Sequence, residues 1–290
     1  MFSSEQLSHF ETFGYVVQRQ LFSPAEMAEI TAEFDATVEA ERQGEAFAGE
    51  IRQAVSGWVE RSPRMRQLVE DDRIYEPLAQ LLGPDFIWRA SDGNLYVGDT
   101  AWHRDGADVE VGFTRIKVVF YLDPVGRDTG CLRVIPGSHR PPFHDELRKL
   151  NYWRKKQVIE EGRSTQAELD QFIKEMNISK DEPLFGVDSQ DVPAVPLESE
   201  PGDVVFFTQY LYHSSFGGRS GRRMFSMSFA VNPSTDEQVE LLCKHQEIMD
   251  RSRLVTQHTQ RDQFYDPAFL HSDRPRIQGM VAKLIELGFE

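Results

Sequence analysis

Pro201-Gly202-Asp203-Val204-Val205-Phe206-Phe207 opens with a tight turn and runs straight into four apolar residues of strong β propensity. The same construction recurs on both sides of it. Residues 86–89, 94–97, 113–122, 132–135, 204–208 and 224–231 are short runs rich in β-branched and aromatic side chains. Asp92-Gly93, Asp123-Pro124 and Pro136-Gly137 punctuate them as turns. Strands that follow one another without regularly alternating helices predict an antiparallel sandwich or barrel rather than a Rossmann-type sheet.

The flanks read differently. Residues 4–13 form a short helix stopped by Gly14, and Tyr15-Val16-Val17 a brief strand. Ser23-Pro24-Ala25-Glu26 is a capping box with Pro at the first helical position, followed by Met27, Ile30 and Phe34 at helical spacing. Residues 63–82 read as one more helix, from Pro63 to the stop at Gly83-Pro84. Residues 141–182 are charged and helix-prone, and 183–200 form a Pro-rich loop. An insertion of that length predicts a lid or a binding loop. After Pro233 helices are expected at about 235–253 and 275–288. Together these predict one domain over 1–290. Its parts are a helical 1–85, a β core of 86–140 and 201–232, an insertion at 141–200 and C-terminal helices over 233–290.

Composition narrows the function. With 32 basic and 47 acidic residues the net charge is −15, and no run of Lys and Arg offsets it. Nucleic acid and anionic membrane surfaces are therefore not expected partners. Two cysteines, Cys131 and Cys243, make neither a disulfide framework nor a zinc site. No apolar run reaches the roughly 20 residues of a membrane span, and residues 1–13 carry Glu5 and Glu11 rather than a signal-peptide core. A cytoplasmic protein is expected.

The chemistry concentrates at Trp102-His103-Arg104-Asp105-Gly106. On a strand, residues two apart share a face, so His103 and Asp105 can reach one metal while Arg104 points away. A third ligand from a distant strand would complete two histidines and one carboxylate, the arrangement that leaves open positions on non-heme ferrous iron. His9, His144, His245, His258 and His271 fall in segments read as helix or loop, and His139 in a tight turn. Only His213 follows a late strand able to pack beside the first. Arg222 and Arg223 open the next strand, where a buried arginine calls for a carboxylate partner. Trp102, Trp153, Tyr210, Tyr212 and Phe216 are candidates to touch substrate. Arg115, Lys117 and Arg133 share the predicted sheet; outward-facing solvated side chains are the simpler reading, and two of them facing inward would imply an anionic substrate.

Four pieces in this order resemble the phytanoyl-CoA dioxygenase family of iron(II)- and 2-oxoglutarate-dependent oxygenases. They are His103-Arg104-Asp105, Gly130-Cys131-Leu132-Arg133-Val134-Ile135-Pro136-Gly137-Ser138-His139, the Pro201–Phe207 turn-strand, and His213-Ser214-Ser215 followed by Arg222. The resemblance implies a mainly β fold with flanking helices, a double-stranded β-helix (jelly roll, cupin-like). It implies His103, Asp105 and His213 as ligands of Fe(II). It also implies Arg222, with Arg223 as the alternative, and Ser215 on the far carboxylate of 2-oxoglutarate, with O2 as the oxidant. His139 is not implied as a ligand. Because Asp105 is present, oxidation of a small molecule, most simply hydroxylation, is expected rather than halogenation. Two further readings remain: a cupin-type metal enzyme without 2-oxoglutarate, against which Arg222 argues, and a silent jelly-roll binding protein, against which the intact triad argues.

Overall fold

The computed structural model describes residues 1–105, 113–179, 184–256 and 263–289. Gly106, the stretch 180–182 of the helix-prone segment and His258 lie outside them. Helix α1 (Ser4–Phe13) begins in a Ser3 capping box and ends at Gly14, whose φ of +86° is the left-handed conformation glycine adopts most easily. Strand β1 (Tyr15–Gln18) follows, then α2 (Pro24–Glu41), opened by the Ser23/Glu26 capping box that the sequence predicts.

Three differences from the sequence reading follow. A strand, β2 (Gln53–Ser56), sits within the part read as mainly helical. The helix expected over 63–82 is two, α3 (Pro63–Glu70) and α4 (Asp72–Leu82), because Asp71 leaves the helical conformation and caps the second with its side chain. Asp92-Gly93 is not a turn but the middle of one ten-residue strand, β3 (Ile87–Tyr96). Gly93 is required there by packing. A Cβ on it would lie 2.7 Å from Trp58 Cγ and 3.2 Å from Phe34. Gly93→Ala should therefore destabilise the fold by roughly 1–3 kcal/mol through overpacking, measurable as a lower denaturation midpoint.

The chain continues through β4 (Thr100–His103), β5 (Arg115–Tyr121) and β6 (Leu132–Val134). The insertion supplies α5 (Phe143–Glu146), α6 (Asn151–Glu160) and α7 (Gln166–Glu175). It ends in β7 (Val195–Leu197), a strand where a loop is expected. Two prolines frame or occupy that strand, yet it sits at a sheet edge where a missing N–H costs little. Then come β8 (Val204–Thr208), β9 (His213–Ser215), β10 (Arg222–Ala230), α8 (Asp236–Thr256), α9 (Pro267–Leu270) and α10 (Pro275–Glu286).

Two antiparallel sheets result, one ordered β1-β8-β5-β10-β3-β2 and the other β4-β9-β6-β7. This is the expected jelly roll with flanking helices. The run Val204-Val205-Phe206-Phe207 shows why its core strands look uniformly apolar. Val204 and Phe206 join the core shared with the helices, while Val205 and Phe207 join a second core between the sheets. Both faces are buried, so no polar alternation is left to read. On the outer side of the small sheet a third cluster packs Trp102, Tyr212 and Phe216 against Leu150 and Trp153 of the insertion. No helix among the described residues is long and apolar enough to cross a membrane.

Candidate active site

The two sheets enclose a cavity of about 1030 Å³, and His103, Asp105 and His213 open into it. That is the upper end of small-molecule sites, room enough for a cosubstrate and a substrate together. β4 ends at His103, so Asp105 lies two residues past the strand, in a turn where its N–H donates to Gln209 O at 3.0 Å. Arg104 points away from the pair and contacts His144. His213 opens its own strand, β9, and pairs directly with His103 in register. Sheet pairing thus brings together two histidines 110 positions apart in the chain, with ring centroids at 4.2 Å.

The donor atoms converge. One ligand atom from each of the three residues lies within 4.8 Å of the others. His103 Nδ1 is 2.9 Å from Ala101 O and His213 Nδ1 is 2.8 Å from Leu211 O. A carbonyl only accepts, so both Nδ1 atoms carry the proton and both Nε2 lone pairs are left for a metal. Burial holds both imidazoles below their usual range, His103 the more strongly. Burial acts to raise the Asp105 carboxyl, but Lys117, His213 and His103 together outweigh it and keep it well below the usual carboxylate range. Neutral imidazoles beside an anionic carboxylate are the protonation states that metal binding needs.

Lys117 Nζ stands 2.7 Å from Asp105 Oδ2, close enough for an ion pair although not aligned as a hydrogen bond. It restrains the carboxylate through the oxygen that also faces His213 Nε2 at 4.0 Å. Lys117→Met should lower iron affinity by roughly 10- to 100-fold, the usual effect of losing a partner of a ligand, read by competition with a chelator.

Arg222 lines the same cavity and is 2% exposed. Its Nη2 donates to Ser215 Oγ at 3.2 Å, and Ser215 Oγ donates in turn to Gly130 O at 2.9 Å. Among the described residues Nε and Nη1 have no partner and no carboxylate pairs with this guanidinium. Arg223 faces the opposite way. It is held by Asp123 at 2.7 Å and Asp35 at 2.8 Å. Arg219 is largely exposed.

Two glycines make the space for Arg222, and neither stands out as functional in the sequence. A Cβ on Gly130 would fall 1.7 Å from Arg222 Nη1, and one on Gly218 would fall 1.6 Å from it. The only hint is that Gly130 opens the turn motif and Gly218 belongs to a Gly-Gly pair.

This chain matches the family model for phytanoyl-CoA dioxygenase (PhyH) over residues 10–225. The chain belongs to the phytanoyl-CoA dioxygenase family. As a member it is an iron(II)- and 2-oxoglutarate-dependent oxygenase, and the three convergent donors and the unpaired Arg222 fit those two groups. No curated protein matches the sequence. Among solved structures it is similar to HygX from Streptomyces hygroscopicus with nickel and 2-oxoglutarate bound, at TM-score 0.56 and 15% identity over 81% of this chain and 88% of that one. It is also similar to SnoK, a non-heme alpha ketoglutarate dependent carbocyclase from nogalamycin biosynthesis, at TM-score 0.55 and 19% identity, covering 79% and 84%. EvdMO1 gives TM-score 0.53 and 20% identity over 79% of this chain, which spans only 50% of EvdMO1. At these identities the likeness is one of fold.

The candidate substrate contacts around this PhyH-family cavity fall as follows. Trp102, Tyr210, Tyr212 and Phe216 are buried packing residues and do not line it. Trp102 Nε1 donates to Ser189 O, Tyr210 Oη donates to Phe113 O, and Tyr212 Oη accepts from Asn151. Trp153 packs into the outer apolar cluster, and its neighbour Arg154 reaches the cavity instead. Of the three cations on the sheet only Lys117 lines the cavity. Arg133 donates to the carbonyls of Gln190 and Arg127, and Arg115 is buried beyond the cavity wall.

Proposed function

We propose that this enzyme hydroxylates a small molecule, with His103, Asp105 and His213 holding the iron and with Arg222 and Ser215 holding the far carboxylate of 2-oxoglutarate. The observation that carries the reading is Arg222. It is buried, its Nε and Nη1 are unpaired, and it faces the cavity into which the His-Asp-His group also opens. Such a guanidinium calls for a planar anion that it can grip with two donors.

When bound, iron supplies the activation of oxygen, at the expense of 2-oxoglutarate, which is converted to succinate and carbon dioxide. The protein's part is arrangement. The Nδ1–H donations to Ala101 and Leu211 lock the imidazole tautomers, and Lys117 fixes the carboxylate. Ser215 steadies Arg222 through one hydrogen bond and leaves the remaining donors for the cosubstrate. Val119, Leu132, Phe207 and Met224 give this space an apolar wall that limits water. Asn151, Arg154 and Val158 of α6 form part of the opposite wall, so the insertion helps to shape the substrate space. With Asp105 as the third ligand, insertion of oxygen is favoured over halide transfer.

The direct test is succinate formation by protein loaded with iron anaerobically and then exposed to oxygen and 2-oxoglutarate. Slow succinate release by the wild type that disappears in His103→Ala is expected. Equal release by both proteins would overturn the assignment of the ligands.

A further inference from the structure

Arg89 on β3 and Arg115 at the start of β5 are each 1% exposed, and neither forms an ion pair among the described residues. His245 of α8 lies between the two. Arg89 Nη2 is 3.3 Å from its Nδ1, and Arg115 Nη1 contacts its Nε2. Arg89 Nη2 also donates to Gln246 Oε1 at 3.3 Å, and Arg115 Nη2 to Asp105 O at 3.2 Å. Among the described residues Arg89 Nε, Arg89 Nη1 and Arg115 Nε have no partner.

His245 cannot settle this account. A neutral imidazole accepts at one ring nitrogen and donates at the other, so it serves at most one of the two guanidiniums, and protonated it serves neither. Among the described residues no carboxylate comes within ion-pair distance of either guanidinium, Asp250 acting on Arg89 only from further off, and two buried cations so placed are costly to the fold. Burial above all, with Arg115 nearby, weakens the hold of Arg89 on its proton.

None of the three residues lines the cavity; the cluster lies directly behind residues that do. β5 turns Tyr121, Val119 and Lys117 into the cavity, and Arg115 is the next residue in that alternation. Met249 of α8 lines it as well, and His245 is one helical turn earlier on the same helix.

We propose that Arg89, Arg115 and His245 form an oxyanion site that receives a carboxylate or phosphoryl group of the substrate, so that the enzyme acts on an anionic small molecule. Arg222 then serves the cosubstrate inside the cavity, and the Arg89 and Arg115 pair, behind the cavity wall beside Asp105, serves the anionic group of the substrate. The link to substrate rests on the oxygenase reading, whereas the anion site itself does not.

Thermal unfolding tests it, with inorganic phosphate and acetate as probes, on wild type, Arg89→Met and Arg222→Met. Neither iron nor oxygen is needed, so failure here leaves the oxygenase reading standing, and failure of that reading leaves this result standing. The effective probe at about ten times its dissociation constant should raise the wild-type Tm by roughly 3 °C, and which probe acts distinguishes a phosphoryl from a carboxylate group. The rise should persist in Arg222→Met and vanish in Arg89→Met. In anion-free buffer Arg89→Met should be at least as stable as wild type. It removes a buried charge, while Gln246 Oε1 keeps Tyr265 Oη as a donor and His245 keeps Arg115. Three results would overturn the proposal: no response of the wild type to either probe, a response lost in Arg222→Met but kept in Arg89→Met, or an Arg89→Met protein that is less stable or unfolded without anion.

Discussion

Arg222→Met raises the 2-oxoglutarate concentration needed for half-saturation by about 100-fold, and Arg223→Met leaves it unchanged. The contrast follows from where two adjacent side chains go. Arg222 is buried in the cavity with Nε and Nη1 unsatisfied, whereas Arg223 is closed off by Asp123 and Asp35. Removing one partner of a buried, charge-assisted contact costs about 2–5 kcal/mol, and each 1.4 kcal/mol is about tenfold in affinity. Arg223→Met instead takes two side-chain hydrogen bonds from Asp123, which is almost fully buried but keeps the backbone N–H of residue 223 and Arg219, and should lower stability by about 1 kcal/mol. An anaerobic binding titration reads the first effect and a denaturation curve the second.

Gly218→Ala weakens 2-oxoglutarate binding by at least about tenfold without changing any charge. The added Cβ would lie 1.6 Å from Arg222 Nη1 and 3.0 Å from Gly98 O. The contact that must give is the far end of a flexible side chain, so the guanidinium moves and the backbone stays. The variant should therefore fold with a Tm near that of wild type and lose affinity for the cosubstrate. Gly130 makes the same space, but its φ of +90° adds backbone strain to any substitution, which makes Gly218 the cleaner probe. A Gly218→Ala protein with unchanged affinity would mean that the guanidinium does not work from the position seen here.

Much of this site is legible in the sequence because it depends on strand alternation and turn chemistry, both local. His103-x-Asp105 keeps its shared direction although Asp105 lies just beyond the strand, and His213 is picked out by the turn and strand that precede it. The choice between Arg222 and Arg223 is not local. It depends on which side of β10 faces the cavity, and a strand buried on both faces carries no polar alternation to say so. Asp92-Gly93 misleads for a related reason. Gly93 is glycine because Trp58 presses on it, and Asp92 faces polar neighbours, accepting from Asn94 Nδ2 and Ser226 Oγ. Trp153 and Arg154 show the same limit in the insertion. The helix is readable, but which of its faces meets the cavity is set by packing against β4, which lies about fifty residues away.

One cavity is proposed to hold both iron, on His103, Asp105 and His213, and 2-oxoglutarate, on Arg222. Anaerobic addition of 2-oxoglutarate to the iron(II)-loaded protein tests it most directly, through the visible metal-to-ligand absorption band that appears when the cosubstrate chelates the metal. The account predicts the band in wild type, its absence in His103→Ala, and its appearance in Arg222→Met only at far higher 2-oxoglutarate. Wild-type protein that binds iron yet shows no band at saturating 2-oxoglutarate would contradict it.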